Sequence, residues 1–257
     1  MLARFKRISN LILFVLSVSL LCGCVSFYNP ATGRQETLLI DTKSEVALGQ
    51  DMDKEVQREM KIYDDPNMTA RLERIGSRVA AYSDRQDITY HFKVIKNKEM
   101  NAFAVPGGFI YVHSALMNAV SDDELACVLG HEIGHLAARH GVKRLQAVLG
   151  YQLIMSIALG VGGKETMSQA MDVVFNLASL GYSRKDETLA DKLAVRYSKR
   201  AGFNPYAMIT FFNKLKKEET KNGTGKLVFL SSHPALDERI KNVQQELAYV
   251  SGLSKSP

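Results

Sequence analysis

The sequence predicts an α+β fold, mostly helical, with one small β-sheet packed by a central helix. Two kinds of pattern carry this expectation. Apolar residues recur at helical spacing along much of the chain, as in Met68, Leu72, Ile75 and Val79. Strand-like patterning is confined to one region. There Tyr90 to Ile95 alternates, and two short apolar runs flank Pro106-Gly107-Gly108 as in a hairpin or a pair of closely spaced strands. With 257 residues, 46% apolar and 23% charged, the chain suits one sizeable domain with a real core.

A leader comes first. Arg4, Lys6 and Arg7, with no acid among them, precede an uncharged run from Leu11 to Leu21, the layout of a secretory signal. The run is short for a membrane span of ~20 residues. Leu21-Cys22-Gly23-Cys24 resembles a bacterial lipoprotein signal, with Cys24 as the residue to be acylated. Cys22 departs from the small residue usual at that position, and plain secretion is the alternative. Val25 rather than Asp after the acylated Cys points, by the same resemblance, to a lipid anchor on the periplasmic face of a Gram-negative outer membrane. Residues 1–23 thus read as signal, 24–41 as tether, 42–250 as the domain and 251–257 as a tail.

With Cys22 lost and Cys24 lipidated, Cys127 remains as a free thiol and no intramolecular disulfide can form. The leader also takes three of the 33 basic residues, against 27 acids, and lowers the formal charge from +6 to +3. No basic block is interleaved with aromatics and Trp is absent, so no nucleic-acid partner is expected.

Within the domain, Thr42 and Glu45 have capping-box spacing and open a first helix. Asp64-Asp65-Pro66-Asn67 breaks it before a second. His91 falls on the polar face of the first strand. The run from Asn101 to Val105 is either an edge open to an extended peptide or a structural flank. The central helix opens at Ser121, with Asp122 and Asp123 in its first turn and Glu124 completing Ser-x-x-Glu. Apolar residues lie all round it, which marks it as a core helix. A buried helix keeps two His and a Glu only when they have partners.

Those three residues are His131, Glu132 and His135, in the pattern His-Glu-x-x-His. Residues four apart stack on one helical face, so both imidazoles can reach one zinc ion while Glu132 handles a water molecule beside them. Zinc still needs a third protein ligand, and a ligating His needs a carboxylate on its other nitrogen. Glu187 and Asp191, again four apart, are either a charge pair on a solvated face or the source of both. They lie in a helical pattern running from about Glu165 to Gly202. His140 projects about 180° around an α-helix from His131 and reads as a surface or second-layer residue. Cys127 reads as core.

Leu145 to Gly163 is uncharged. A single span there would put His135 and a downstream acidic ligand on opposite sides of a bilayer. The stretch therefore reads as core, a lid, or a membrane-proximal or dimer surface. Pro234 suits the first position of a terminal helix ending near Tyr249, with His233 on the loop before it.

Three motifs, HEIGH at 131–135, SRKDETLAD at 183–191 and SSHPALDERI at 231–240, occur in the order found in the HtpX-like and CAAX-prenyl-protease-like zinc metallopeptidases. NPATGRQE and NAFAVPGGFIYVHSAL resemble lead-in segments of that family's periplasmic lipoprotein branch. The resemblance spans about residues 29–245 and departs from the integral-membrane members in lacking convincing spans. It implies a gluzincin peptidase with one zinc ion, held by His131, His135 and Glu187. It implies Glu132 as general base, Asp191 as the carboxylate behind His131, and Arg239 in support. His233 corresponds to an active-site His that bonds the oxyanion or caps the zinc at rest. Asn101, Ala102, Phe103 and Ala104 would lie in the strand that aligns substrate. The implied partners are polypeptides, envelope or outer-membrane proteins among them. An assembly factor or chaperone with little proteolysis is the alternative.

Overall fold

The computed structural model describes residues 25–166, 168–170, 172–173, 181–221, 229, 233 and 235–253. The signal, Cys24 and Pro234 lie outside these. The stretch read as a tether is instead an antiparallel hairpin of β1 (Val25–Asn29) and β2 (Arg34–Leu38), turned at Gly33. β2 (Arg-Gln-Glu-Thr-Leu) is too polar to announce itself, and what fixes the hairpin is distant. Leu38 and Ile40 are buried. The Leu39 N–H donates to Gln146 Oε1 at 2.7 Å, and Asn29 Nδ2 donates to the Ala137 carbonyl at 3.3 Å.

Helix α1 (Thr42–Glu59) is capped by Asp41, whose carboxylate accepts from the Ser44 N–H at 2.7 Å. The cap therefore falls one residue before Thr42, whose hydroxyl donates to Asp87 instead. Helix α2 (Pro66–Ala80) starts at Pro66 behind an Asp65 cap, where the missing proline N–H costs nothing. Strands β3 (His91–Ile95), β4 (Ala102–Val105) and β5 (Phe109–His113) form one sheet in the order β3-β5-β4. β3 runs parallel to β5 and β4 antiparallel to it, so β4 stands at an edge. The tight link between β4 and β5 puts Gly108 at φ +103, where a Cβ would stand 2.1 Å from the Thr89 carbonyl oxygen and has no room.

After the short α3 (Ser114–Ala119), helix α4 (Asp122–Ala137) opens on a complete Ser121–Glu124 capping box, and every residue from Glu124 to Ala137 is buried. Then come α5 (His140–Val148), α6 (Tyr151–Ala158), α7 (Arg184–Arg200), α8 (Ala207–Lys221) and α9 (Leu236–Val250). The period-2 alternation of the sheet feeds two cores. Ala102, Ile110 and Val112 pack with α2, α4, α7, α8 and α9, while Phe103, Phe109 and Tyr111 pack with α1, α5 and α6.

Three boundaries differ from expectation. The long pattern from Glu165 is helical at residues 164–166, 168–170 and 172–173, but α7 starts anew at Arg184, after Gly181 at φ +77 and a Ser183 cap; residues 174–180 lie outside the described ones. Helix α9 starts at Leu236, not Pro234, because Ala235 sits in the left-handed region at φ +67. The uncharged stretch is cut at Gly150 into α5 and α6. Among the described residues no helix is long and apolar enough to cross a membrane.

Candidate metal centre

Helices α4 and α7 cross on a seam of small residues. Gly130 and Gly134 face Ala194 and Ala190, and a Cβ on them would stand 3.0 and 3.2 Å from the respective Cα atoms. This near-contact of backbones brings the Glu187 and Asp191 face of α7 onto the His131 and His135 face of α4.

His131, His135, Glu187 and His233 each offer a donor atom, all within 4.8 Å of one another and all buried. The two Nε2 atoms of His131 and His135 are 3.0 Å apart. Glu187 Oε1 is 3.4 Å from His135 Nε2, and its Oε2 is 3.6 Å from His131 Nε2. Ligands at ~2.0–2.1 Å in a tetrahedral zinc site are about 3.3 Å from each other, so the spacing fits that ion, as does a donor set of imidazoles and carboxylate. The orphans agree. Glu187 Oε2 and Glu132 Oε1 are buried without a hydrogen bond, although Arg239 Nη1 lies 3.1 Å from the former as an ion pair. Buried carboxylate oxygens left so are costly unless a cation answers them.

Behind the donors stands a charged layer. His131 Nδ1 is 2.8 Å from Asp191 Oδ1. The Arg239 fork donates to both Asp191 oxygens, at 2.8 and 2.6 Å, and to the His233 carbonyl at 3.2 Å. One guanidinium therefore ties the carboxylate behind His131 to the loop that carries His233. Burial alone would raise both acids. His233, Arg239 and His131 instead hold Glu187 well below the usual carboxylate range, and Arg239 with His131 holds Asp191 down. Burial, with the Arg239 charge, pushes His131 down to about 3, which keeps its imidazole neutral as a ligand must be. For Glu132 burial wins and raises the carboxyl; its nearest basic nitrogen is His233 Nε2, at 3.7 Å.

Of the two readings of His140, the structure supports the second-layer one and not the surface one. The side chain is buried, with Nδ1 2.9 Å from His135 Nδ1 and Nε2 3.4 Å from Asp186 Oδ1. The helical projection from His131 fails because α4 stops at Ala137 and Arg139 turns the chain at φ +53. Cys127 is buried in the core as read, its thiol pushed up to about 12 by burial.

Tyr182 stacks on His135 with ring centroids 4.0 Å apart, a contact that sequence reasoning missed. So did the Glu45–Arg85 pair, joined by two bonds of 2.8 Å. Arg85 also donates to the Leu136 carbonyl, and Glu45 accepts from the Gly107 N–H. The end of α4 is thereby fastened to the turn beside β4. On β4 and just before it, Asn101, Ala102 and Phe103 are buried and Ala104 half-buried, and the Asn101 Oδ1 has no hydrogen-bond partner.

Peptidase family M48 matches residues 66–247. The chain is 32% identical to metalloprotease LoiP of Escherichia coli K12 over 181 residues, 69% of this chain and 70% of LoiP. It is 28% identical over 228 residues to the mitochondrial metalloendopeptidase OMA1 of Schizosaccharomyces pombe, 86% of this chain and 66% of that protein. It is 28% identical over 223 residues to the beta-barrel assembly-enhancing protease of Yersinia pestis, 83% of this chain and 45% of that protein. The chain spans about half the length of the beta-barrel assembly-enhancing proteases it matches. On the family match and the LoiP identity, the chain belongs to peptidase family M48, and so to the metallopeptidases.

Proposed function

We propose that the chain is a zinc-dependent endopeptidase that hydrolyses misfolded or misassembled envelope proteins, outer-membrane proteins among them. One observation carries this reading: His131, His135 and Glu187 converge on a buried point with an unpartnered oxygen of Glu132 beside it. The names of the beta-barrel assembly-enhancing relatives support the substrate class.

His131, His135 and Glu187 would hold a zinc ion, which when bound would supply Lewis acidity to a water molecule and to the scissile carbonyl. Glu132 takes the proton of the attacking water and gives it to the leaving amine; the rise that burial imposes on its carboxyl suits a group that must both take and give. Asp191 holds the proton of His131 on Nδ1 and so turns Nε2 towards the site, while Arg239 keeps Asp191 ionised. His233 donates to the oxyanion once substrate is bound. The β4 edge, with Asn101 to Ala104, lays an extended peptide across the site.

A second reading has its own support. His233 Nδ1 lies 3.2 Å from His131 Nε2 and 2.9 Å from Glu187 Oε1, which closes a four-donor set of the kind found in structural zinc sites. In that arrangement His233 caps the zinc at rest, and peptide binding without cleavage would make the protein an assembly factor. The lipoprotein-like signal supports, for either form, a position on the periplasmic face of the outer membrane with Cys24 as anchor.

Glu187→Ala is expected to purify with well under half the zinc of wild type by metal analysis; full occupancy would show that another residue is the third ligand. Glu132→Gln should keep its zinc and lose cleavage by on the order of 10²–10⁴-fold. Retained turnover in the zinc-loaded variant contradicts the general-base role. Complementation of a deletion strain by Glu132→Gln would favour the assembly factor. Cys24→Ala should move the protein from the outer-membrane to the soluble periplasmic fraction, and unchanged fractionation would remove the anchor.

A further inference from the structure

We infer that His140 is a positioning residue for the metal centre. It is the middle member of a chain of contacts, His135–His140–Asp186, that fixes the ring of His135 with Nε2 towards the ion. On the zinc reading proposed above, on which this inference rests, His135 Nε2 is a ligand atom. It is the nitrogen turned to the other donors, 3.0 Å from His131 Nε2 and 3.4 Å from Glu187 Oε1. The other nitrogen of the ring, Nδ1, lies 2.9 Å from His140 Nδ1.

Two imidazole nitrogens at that distance share one hydrogen, because a neutral ring has one donor and one acceptor. A ring that gives Nε2 to a metal carries its hydrogen on Nδ1, so His135 donates and His140 accepts. The hydrogen of His140 is then on Nε2, which stands 3.4 Å from Asp186 Oδ1, a charge–dipole contact longer than a full hydrogen bond. Asp186 is itself held, since its Oδ2 accepts from the Ser183 N–H and hydroxyl at 3.3 and 2.7 Å. The carboxylate that completes the capping box of α7 thus also fixes the tautomer of His140.

The backbone is bent to make these contacts. His140 opens α5 directly after Arg139, which sits in the left-handed region at φ +53. The Arg139 guanidinium is fastened, donating to the Thr42 hydroxyl at 2.6 Å and to Asp87 at 3.3 Å. Such a conformation persists where its surroundings over-determine it. With Tyr182 stacked on its face, the His135 ring is held on two sides. The two motif histidines are therefore tied to α7 differently. His131 reaches Asp191 directly, whereas His135 reaches Asp186, in the first turn and next to Glu187, through a second imidazole.

Competition of the purified full-length protein with a chelator of known zinc affinity measures the role, beside thermal unfolding of the zinc-free forms. His140→Leu keeps bulk and removes the acceptor, while His140→Gln restores an acceptor for His135 and a donor for Asp186. The proposal predicts that His140→Leu weakens zinc binding by on the order of 10–100-fold and that His140→Gln stays within about threefold of wild type. A purely structural histidine would instead lower the zinc-free Tm in both variants and leave affinity unchanged, which overturns the proposal. Equal weakening by Leu and Gln overturns it too. Nitrogen-15 imidazole spectra of zinc-loaded wild type give a reading that needs no altered fold. The resonances absent from His140→Gln should show hydrogen on Nε2 and none on Nδ1, and the reverse tautomer overturns the proposal. A wild type that takes up no zinc overturns this inference together with the reading beneath it. Normal zinc loading with wild-type affinity in His140→Leu overturns this inference alone.

Discussion

The close approach of α4 and α7 is the constraint on which the site depends. Glycine at 130 and 134 and alanine at 190 and 194 let the two backbones meet with no side chain between them. Facing helices usually lie 8–10 Å apart, depending on the residues at the contact, and larger ones hold the axes further apart. A carboxylate on a short Glu or Asp side chain reaches an imidazole on the facing helix only when the separation is small. Gly134 lies inside the His-Glu-x-x-His motif, so packing and chemistry are written into the same turn.

Electrostatics impose the second requirement. Three buried carboxylates, Glu132, Glu187 and Asp191, face the buried guanidinium of Arg239. With neutral imidazoles that leaves an excess of negative charge which a divalent cation offsets, and buried charge is tolerated only when it is paired. The same view explains why Arg239 is fully buried. It keeps Asp191 ionised, and Asp191 in turn orients His131. A Lys in its place would offer one point charge rather than a fork that spans both oxygens.

What was legible in the sequence was local. The Ser121 capping box, the motif it precedes and the hairpin around Gly107 and Gly108 rest on residues a few positions apart. The features missed depend on partners far along the chain or on backbone that leaves no mark. The β1–β2 hairpin is held by Ala137 and Gln146. The turn at Arg139 uses a left-handed conformation that an arginine does not signal, which is why the helical projection from His131 to His140 fails and the surface alternative with it. The pair Glu187 and Asp191 was visible as a spacing, yet only the family resemblance separated ligand from supporting carboxylate. Tyr182 and Arg85 carried no pattern at all, and Glu45 showed only capping-box spacing, which says nothing of its pairing with Arg85.

The central claim is that α4 and α7 hold one zinc ion through nitrogen and oxygen. X-ray absorption at the zinc edge of the purified full-length protein tests it most directly. The proposed function predicts one zinc per chain, a four-coordinate shell of nitrogen and oxygen at ~2.0–2.1 Å, and the outer-shell scattering of at least two imidazoles. A sulfur shell at ~2.3 Å would implicate a cysteine and contradict the account, as would a spectrum without imidazole scattering.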